Sequence, residues 1–323
     1  MTIGTSKNIA KVAIIADRKN WAYDSIAKSL VKFNIYSDLE LDIFYFKDES
    51  ISLRKIYREY DLVFFLGWQL LENIYKGKAF YKSIFIDEAR TLTGIHSHHS
   101  WDDRKTTPDH DVIPSKKLIN FLGSFKGINV VSRKLFEIFL EAGLGNLAYT
   151  PNGVDTDKFS CKKKEIKTSF IIGYSGSDNH DWRKGITQFI IPASKIPGVN
   201  LKIASPLEGE ISPDLMPSFY RDIDAYVCAS SSEGFSLSVL EASAMGCPVI
   251  STRVGGCEDL IIDGYNGFLV DRNIDSIKEK IIYLKNNPQK SLEMGVNNKK
   301  LVEQLWSWKV RSRAWLSFIK GNL

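Results

Sequence analysis

Ser230-Ser231-Ser232-Glu233-Gly234-Phe235-Ser236-Leu237-Ser238-Val239-Leu240-Glu241-Ala242 follows the short apolar run 225–229. That run is bounded by turn-forming residues and has the length of a buried parallel strand. The pattern then predicts a helix that opens near Phe235 or Ser236 and runs to Met245, with Gly246 as its stop signal. A helix opening at the carboxyl edge of a parallel sheet offers unpaired N–H groups and the positive end of its dipole, a natural seat for a diphosphate. Gly234 has no side chain, so a ligand can approach the backbone there. Glu233 stands just before the helix, and Glu241 lies about 9 Å along its axis from the start. One carboxylate can reach the sugar side of a phosphate and the other a ribose. Two acids at this spacing, taken alone, equally describe a solvated glutamate and a helix-surface glutamate.

Working outward, short apolar runs alternate with amphipathic helices, which argues for parallel sheets covered on both faces. In the first half the strands are expected at 10–16, 40–46, 61–66, 82–86, 128–132 and 147–150, with helices near 20–33 and 134–142. The stretch 87–114 reads as a polar connection too long for a simple loop. Pro151-Asn152-Gly153 is strong turn chemistry. The polar segment 155–168, with Lys162, Lys163 and Lys164, reads as the crossing between domains, or as a plain solvated loop. A second set of strands is expected at 170–174, 201–204, 225–229, 248–251 and 267–270. The fold class is therefore α/β, with two doubly wound, Rossmann-like domains at 1–152 and 153–305. Their ligands would sit at the carboxyl ends of the strands. A terminal helix, 306–323, is expected to pack back on the first domain.

Composition sets the outer limits. The chain has 323 residues, 44% apolar and 25% charged, enough for two ordinary globular domains. A net charge of +5 makes a phosphate-bearing ligand or an anionic surface plausible without compelling nucleic acid. Cys161, Cys228, Cys247 and Cys257 form no C-x-x-C pair, which argues against structural zinc and for a reducing, cytoplasmic setting. No run approaches the roughly 20 apolar residues of a membrane span. The nearest, 62–71, is broken by Gly67 and Gln69 and reads as a strand followed by a turn.

Downstream come Gly246-Cys247-Pro248-Val249-Ile250-Ser251, then Gly255-Gly256-Cys257-Glu258-Asp259-Leu260-Ile261, then Asp263-Gly264-Tyr265-Asn266-Gly267-Phe268-Leu269-Val270. With the 230–242 stretch, this run resembles the C-terminal signature of the family-4 retaining glycosyltransferases of the GT-B fold (glycosyl transferases group 1). Asn152-Gly153-Val154-Asp155, with Phe159 after it, resembles that family's domain junction. The likeness is specific over about 127–285 and general before that.

The resemblance implies two domains facing a central cleft and a nucleoside-diphosphate sugar, UDP- or GDP-linked, as co-substrate. Glu241 would accept hydrogen bonds from the donor's ribose, and Glu233 would contact hydroxyls of the donor sugar. The amides of Phe235, Ser236 and Leu237 would hold sugar and phosphate oxygens beside Gly234. Lys184, before Gly185, matches the family lysine. The usual arginine position holds Ser177, and Arg183 substitutes from a different backbone point. A leaving diphosphate gains negative charge, which fixed cations and N–H dipoles stabilise, so no metal or other cofactor is required.

In the first half, Arg18 and Lys19 follow the first strand and would face the diphosphate across the cleft, or be solvated loop charges. His96, His98, His99 and His110 lie near Asp102, Asp103, Asp109 and Asp111. They read as an acceptor-side loop, a bland polar loop, or a metal site by ligand type alone. Asp87 and Glu88 follow an expected strand, where relatives keep a histidine, and are candidates to touch the donor sugar. The tail carries Trp306, Trp308, Trp315 and Phe318 among basic residues. It packs on the first domain or lies on the inner face of an anionic membrane. The acceptor is not named by the sequence, and DNA is supported by charge alone. The alternatives to transfer are a non-hydrolysing sugar-nucleotide epimerase and a non-enzymatic sugar-nucleotide-binding protein.

Overall fold

Val12, Ala13, Ile14, Ile15 and Ala16 are all inaccessible to solvent. A run of consecutive buried β-branched and small residues is what a central parallel strand, covered on both faces, demands. The structure is a computed structural model that describes residues 9–48, 52–76, 85–97, 113–161, 169–177, 181–205 and 212–323. In it, β1 (Ala10–Ala16), β2 (Leu39–Tyr45), β3 (Leu62–Phe65), β4 (Thr91–Ile95), β5 (Gly127–Val130) and β6 (Leu147–Tyr149) form one sheet. Their order is β2-β1-β3-β4-β5-β6, and every pairing among the described residues is parallel.

The second sheet is built from β7 (Phe170–Ser175), β8 (Val199–Ala204), β9 (Ala225–Cys228), β10 (Val249–Thr252) and β11 (Gly267–Val270). Its order is β11-β10-β9-β7-β8, again parallel throughout the described residues. In each sheet the winding reverses once, between β1 and β3 and between β7 and β9. At such a reversal the loops leaving the two strands diverge and open a crevice at the carboxyl edge.

One expected strand is misplaced by the sequence reading. The strand beside β3 is not 82–86 but Thr91–Ile95, inside the stretch read as a polar connection. Residues 82–84 lie outside the described residues, and 85–86 are not strand. The physical reason is that Thr91 and Thr93 are strand-compatible despite their hydroxyls. Both are fully buried. The Thr91 hydroxyl finds partners in Asp87 O at 2.6 Å and the Tyr57 hydroxyl at 2.5 Å.

The final helix, Trp308–Lys320, lies against the helix Ala22–Lys32 of the first domain. Trp315 is inaccessible, packs on Phe64, and donates its indole N–H to Pro151 O at 2.9 Å. Lys320 closes the contact on Asp38 at 2.8 Å. The chain thus crosses between domains twice, and the crossings run side by side. Val154 N donates to Trp306 O at 3.0 Å, and Trp308 N donates to Val154 O at 2.9 Å. Trp306, Trp308, Trp315 and Phe318 are all buried, so the aromatic residues of the tail are core and not a membrane-facing stripe. Among the described residues no helix is long and apolar enough to cross a membrane.

Candidate functional site

The crevice between β7 and β9 is where the charged residues of the signature meet. After β9 the chain runs through Ser230 to Gly234. It then enters the helix Leu237–Ala244, whose N-cap is Ser236, with its hydroxyl accepting from Val239 N. The helix ends in a Schellman turn: Cys247 N donates to Ala242 O, Gly246 N to Ser243 O, and Gly246 takes a positive φ of 72°. Because Ser236 and not Phe235 is the cap, Glu241 lies about one turn into the helix, or roughly 6 Å. Among the described residues the amides of Phe235, Ser236 and Leu237 have no hydrogen-bond acceptor; the last two are left open as a helix start leaves them, and Phe235 stands just before the cap.

Glu233 is buried and sits between two cations from the turn after β7. Its Oε1 is hydrogen-bonded to Lys184 Nζ and to the Ser230 hydroxyl at 2.7 Å, and its Oε2 is 3.7 Å from Arg183 Nη1. Burial alone would raise its carboxyl. The charges of Lys184 and Arg183 and the hydrogen bonds outweigh burial and hold it at about 2. The triad therefore carries one net positive charge at the mouth of the crevice. Arg183 also donates to Ser232 O at 2.8 Å, and Ser231 N donates to Arg183 O at 2.8 Å, so the two loops are cross-tied.

A residue that the sequence reading missed completes the tie. Arg272, just past β11, donates from Nε to Ala229 O at 2.9 Å and from Nη2 to Trp182 O at 3.1 Å. Its guanidinium lies over Phe189 at 4.5 Å. The available signal was its position: a charged residue directly after a strand, at the carboxyl edge.

Glu241 has the opposite environment. Burial pushes its carboxyl up to about 7, against the pull of the Tyr220 hydroxyl donating to Oε2 at 2.8 Å and of Lys158 nearby.

The profile described as Glycosyl transferases group 1 matches residues 199–301. Over 103 residues the chain is 42% identical to an uncharacterized glycosyltransferase of Methanocaldococcus jannaschii, covering 32% of this chain and 29% of that protein. It is 29% identical to the capsular polysaccharide biosynthesis glycosyltransferase CapM of Staphylococcus aureus, over 53% of this chain and 54% of the relative. The chain thus spans about half or less of the length of these curated relatives. Among solved structures it superposes on sucrose-phosphate synthase from Thermosynechococcus elongatus with a TM-score of 0.76 at 15% identity, covering 97% of this chain and 98% of that one. Anabaena HepE in complex with UDP and glucose superposes with a TM-score of 0.72 at 14% identity, over 97% and 100% of the two chains.

The chain has the GT-B fold. In GT-B terms, the candidate residues divide by domain. Glu233, Lys184, Arg183, Gly234, Phe235, Ser236, Leu237 and Glu241 converge at the carboxyl edge of the second sheet, and Ser177 follows β7 at the same edge. Phe235 contributes backbone only: its ring is buried against Trp306 at 5.2 Å.

On the first domain, Arg18 leaves β1 at the carboxyl edge, its guanidinium stacked 3.1 Å over Trp21. Asp87 and Glu88 fall elsewhere. They precede β4 and so lie at the amino edge, away from the cleft. There Asp87 holds Arg90 Nε at 2.7 Å, and Glu88 accepts from the Tyr75 hydroxyl at 2.6 Å. The misplacement follows directly from the strand shift: moving the strand from 82–86 to 91–95 turns residues that follow a strand into residues that precede one. The residue that emerges at the carboxyl edge of β4 is His96. Its ring packs edge-on against Tyr23 at 5.0 Å, and burial lowers its pKa to about 3. His98, His99 and His110 lie outside the described residues. Among the described residues no three His, Cys, Asp or Glu side chains are grouped to hold a metal.

Proposed function

We propose that this chain is a retaining glycosyltransferase that moves a hexose from a UDP- or GDP-linked donor to an acceptor hydroxyl. The observation that carries this reading is the Arg183–Glu233–Lys184 triad set beside the open amides of the helix Leu237–Ala244. The diphosphate would sit on those amides, with Lys184 and Arg183 neutralising the charge that develops as the glycosidic bond breaks. Glu233, held ionised by its two cations, would accept from hydroxyls of the donor sugar, and Glu241 from the ribose. Charge-assisted bonds of this kind contribute about 1.5–3 kcal/mol each.

Glu233 is not the nucleophile in this reading, because Lys184, Arg183 and Ser230 already engage it, and Glu241 is given to the ribose. A front-face attack fits better: the acceptor oxygen attacks the anomeric carbon from the side the diphosphate leaves. The departing phosphate oxygen takes the acceptor's proton, and configuration is kept. Lys184 and Arg183 would neutralise the diphosphate in place of a divalent ion, so the reading includes turnover without added metal. The UDP in the HepE complex and the GDP-mannose named for a mannosyltransferase relative of Mycolicibacterium smegmatis support a nucleotide donor. The relatives' names favour transfer over epimerisation.

The test is a donor screen for released nucleoside diphosphate, with and without sugar acceptors, in the presence of EDTA. Acceptor-dependent release is expected, with an α-configured product from an α-configured donor by NMR. Lys184→Ala should lower kcat by at least about a hundredfold. An inverted product removes the retaining assignment, and interconversion of the donor without any acceptor replaces transfer by epimerisation.

A further inference from the structure

Glu241 is a glutamate with one oxygen held by the protein and one left open. Tyr220 donates its hydroxyl to Oε2 at 2.8 Å. Among the described residues nothing donates to Oε1. The Tyr220 ring comes from the helix Met216–Asp222 and is inaccessible to solvent. It is wedged between Phe219 at 5.3 Å, Tyr226 at 6.0 Å and Phe159 at 6.1 Å, ring centre to ring centre. Its hydroxyl therefore has a fixed place. Behind it, Ser175 Oγ lies 2.8 Å from the Tyr220 oxygen, and the Tyr226 hydroxyl donates to Ser175 O at 3.0 Å. With Tyr220's only proton committed to the carboxylate, Ser175 is the donor to Tyr220. The chain of bonds then runs in one direction, from the carboxyl end of β7 to Glu241, and each bond polarises the next.

We propose that Tyr220 is a positioning residue that fixes the Glu241 carboxylate so that Oε1 faces the ribose hydroxyls of the donor, with Ser175 and Tyr226 as its support. This rests on the donor-site reading above. The chemistry is specific. A ribose diol presents two O–H donors, and an ionised carboxylate is purely an acceptor, whereas a protonated one brings a proton of its own. The charged form has to survive burial, which favours the neutral form. Among the described residues two groups face Glu241 and oppose that: the Tyr220 hydroxyl, and Lys158 on the crossing between domains, itself paired with Asp214 at 3.1 Å. Tyr220 thus does two things at once. It fixes the direction of the open oxygen, and it favours the protonation state that can use it.

The experiment is calorimetric titration of UDP and of GDP, which share the ribose diphosphate, into the wild-type chain, Tyr220→Phe, Ser175→Ala and Glu241→Ala between pH 5.5 and 9. Tyr220→Phe keeps the ring and its packing. Its expected effect is an about tenfold weaker affinity near neutral pH, with the rise of affinity with pH displaced to higher pH and recovery toward wild type at pH 9. Ser175→Ala shifts the profile the same way by less. Glu241→Ala binds weakly at every pH and has no such rise. A merely structural tyrosine would leave the pH profile in place. If both Tyr220→Phe and Ser175→Ala keep the wild-type affinity and profile while Glu241→Ala is weakened, the positioning role is overturned and the donor site stands. If Glu241→Ala also matches wild type, the donor-site reading falls, and the role of Tyr220 falls with it.

Discussion

Gly234 lies directly against the backbone carbonyl of His96: a β-carbon at 234 would stand 1.7 Å from that oxygen. His96 leaves β4 of the first sheet and Gly234 leaves β9 of the second, so this is where the carboxyl edges of the two sheets touch. Gly234 is also tied to the next signature element, its carbonyl accepting from Gly256 N at 2.8 Å. Backbone against backbone leaves no side chain to rotate away. Gly234→Ala is therefore expected to force the domains apart rather than to repack. The predicted result is a loss of kcat/KM of at least about tenfold, with a melting temperature within about 4 °C of wild type, because neither sheet is disturbed. Small-angle scattering and kinetics on the same sample check it, and unchanged kinetics would show that the contact is not needed.

Glu233 predicts an acid-side loss of stability. Its carboxyl lies well below an unfolded-state value of about 4.3. Its pairing therefore stabilises the fold in full above that value and is lost as pH falls through about 2. Glu233→Gln leaves the buried Arg183 and the half-buried Lys184 without their counter-charge, which costs about 3 kcal/mol at pH 7. Melting curves of the two proteins should differ most at neutral pH and converge as pH approaches 2. A constant gap over that range would contradict the assignment.

Glu241 predicts the reverse sign. Its carboxyl titrates near 7 in the folded protein, above the unfolded value, so the wild type loses stability as pH rises from about 4.3 to 7. Glu241→Gln carries no charge to bury. At pH 8 it should be more stable than wild type, by on the order of 1 kcal/mol, and equal to it near pH 4.5. At the same time its nucleotide affinity should fall about five- to tenfold, since a neutral amide replaces a charge-assisted acceptor. Stability and binding moving in opposite directions is the signature; a variant less stable than wild type at pH 8 would count against it.

Trp315 predicts the cost of undoing the second crossing. It is fully buried between Phe64, Trp308 and His96, with its N–H on Pro151 O. Trp315→Ala should lose about 3–5 kcal/mol in urea unfolding. Charge reversal at Lys309 and Arg313 should leave binding to anionic vesicles unchanged, as the tail's aromatic side chains are not free to insert. Vesicle binding that disappears on charge reversal would restore a membrane role for this helix.

Much of the second domain was legible from local signals. The strand before Ser230, the stop at Gly246 and the strand Gly267–Val270 need only short apolar runs, glycines in special conformations and a capping serine, all of which act within a few residues. The first domain was less legible. Thr91-Leu92-Thr93-Gly94-Ile95 looks polar in sequence, and the Thr91 hydroxyl is allowed into a core by the Asp87 carbonyl four residues back and by Tyr57, which only folding brings in. That one shift puts His96, and not Asp87 or Glu88, at the carboxyl edge that faces the cleft.

By itself, then, the order of residues determined two parallel-sheet domains and which carboxyl edge carries the glutamates, glycines and lysine of the signature. Only the tertiary structure decided their electrostatic character. It made Glu233 a firmly ionised partner of Lys184 and Arg183, and Glu241 a carboxyl near neutrality held by Tyr220. It also brought Arg272 to the Ala229 carbonyl and His96 to Gly234. The reason is range. Propensity, capping and turn chemistry act between near neighbours in the chain, whereas charge, burial and steric fit depend on what lies within a few ångströms in space.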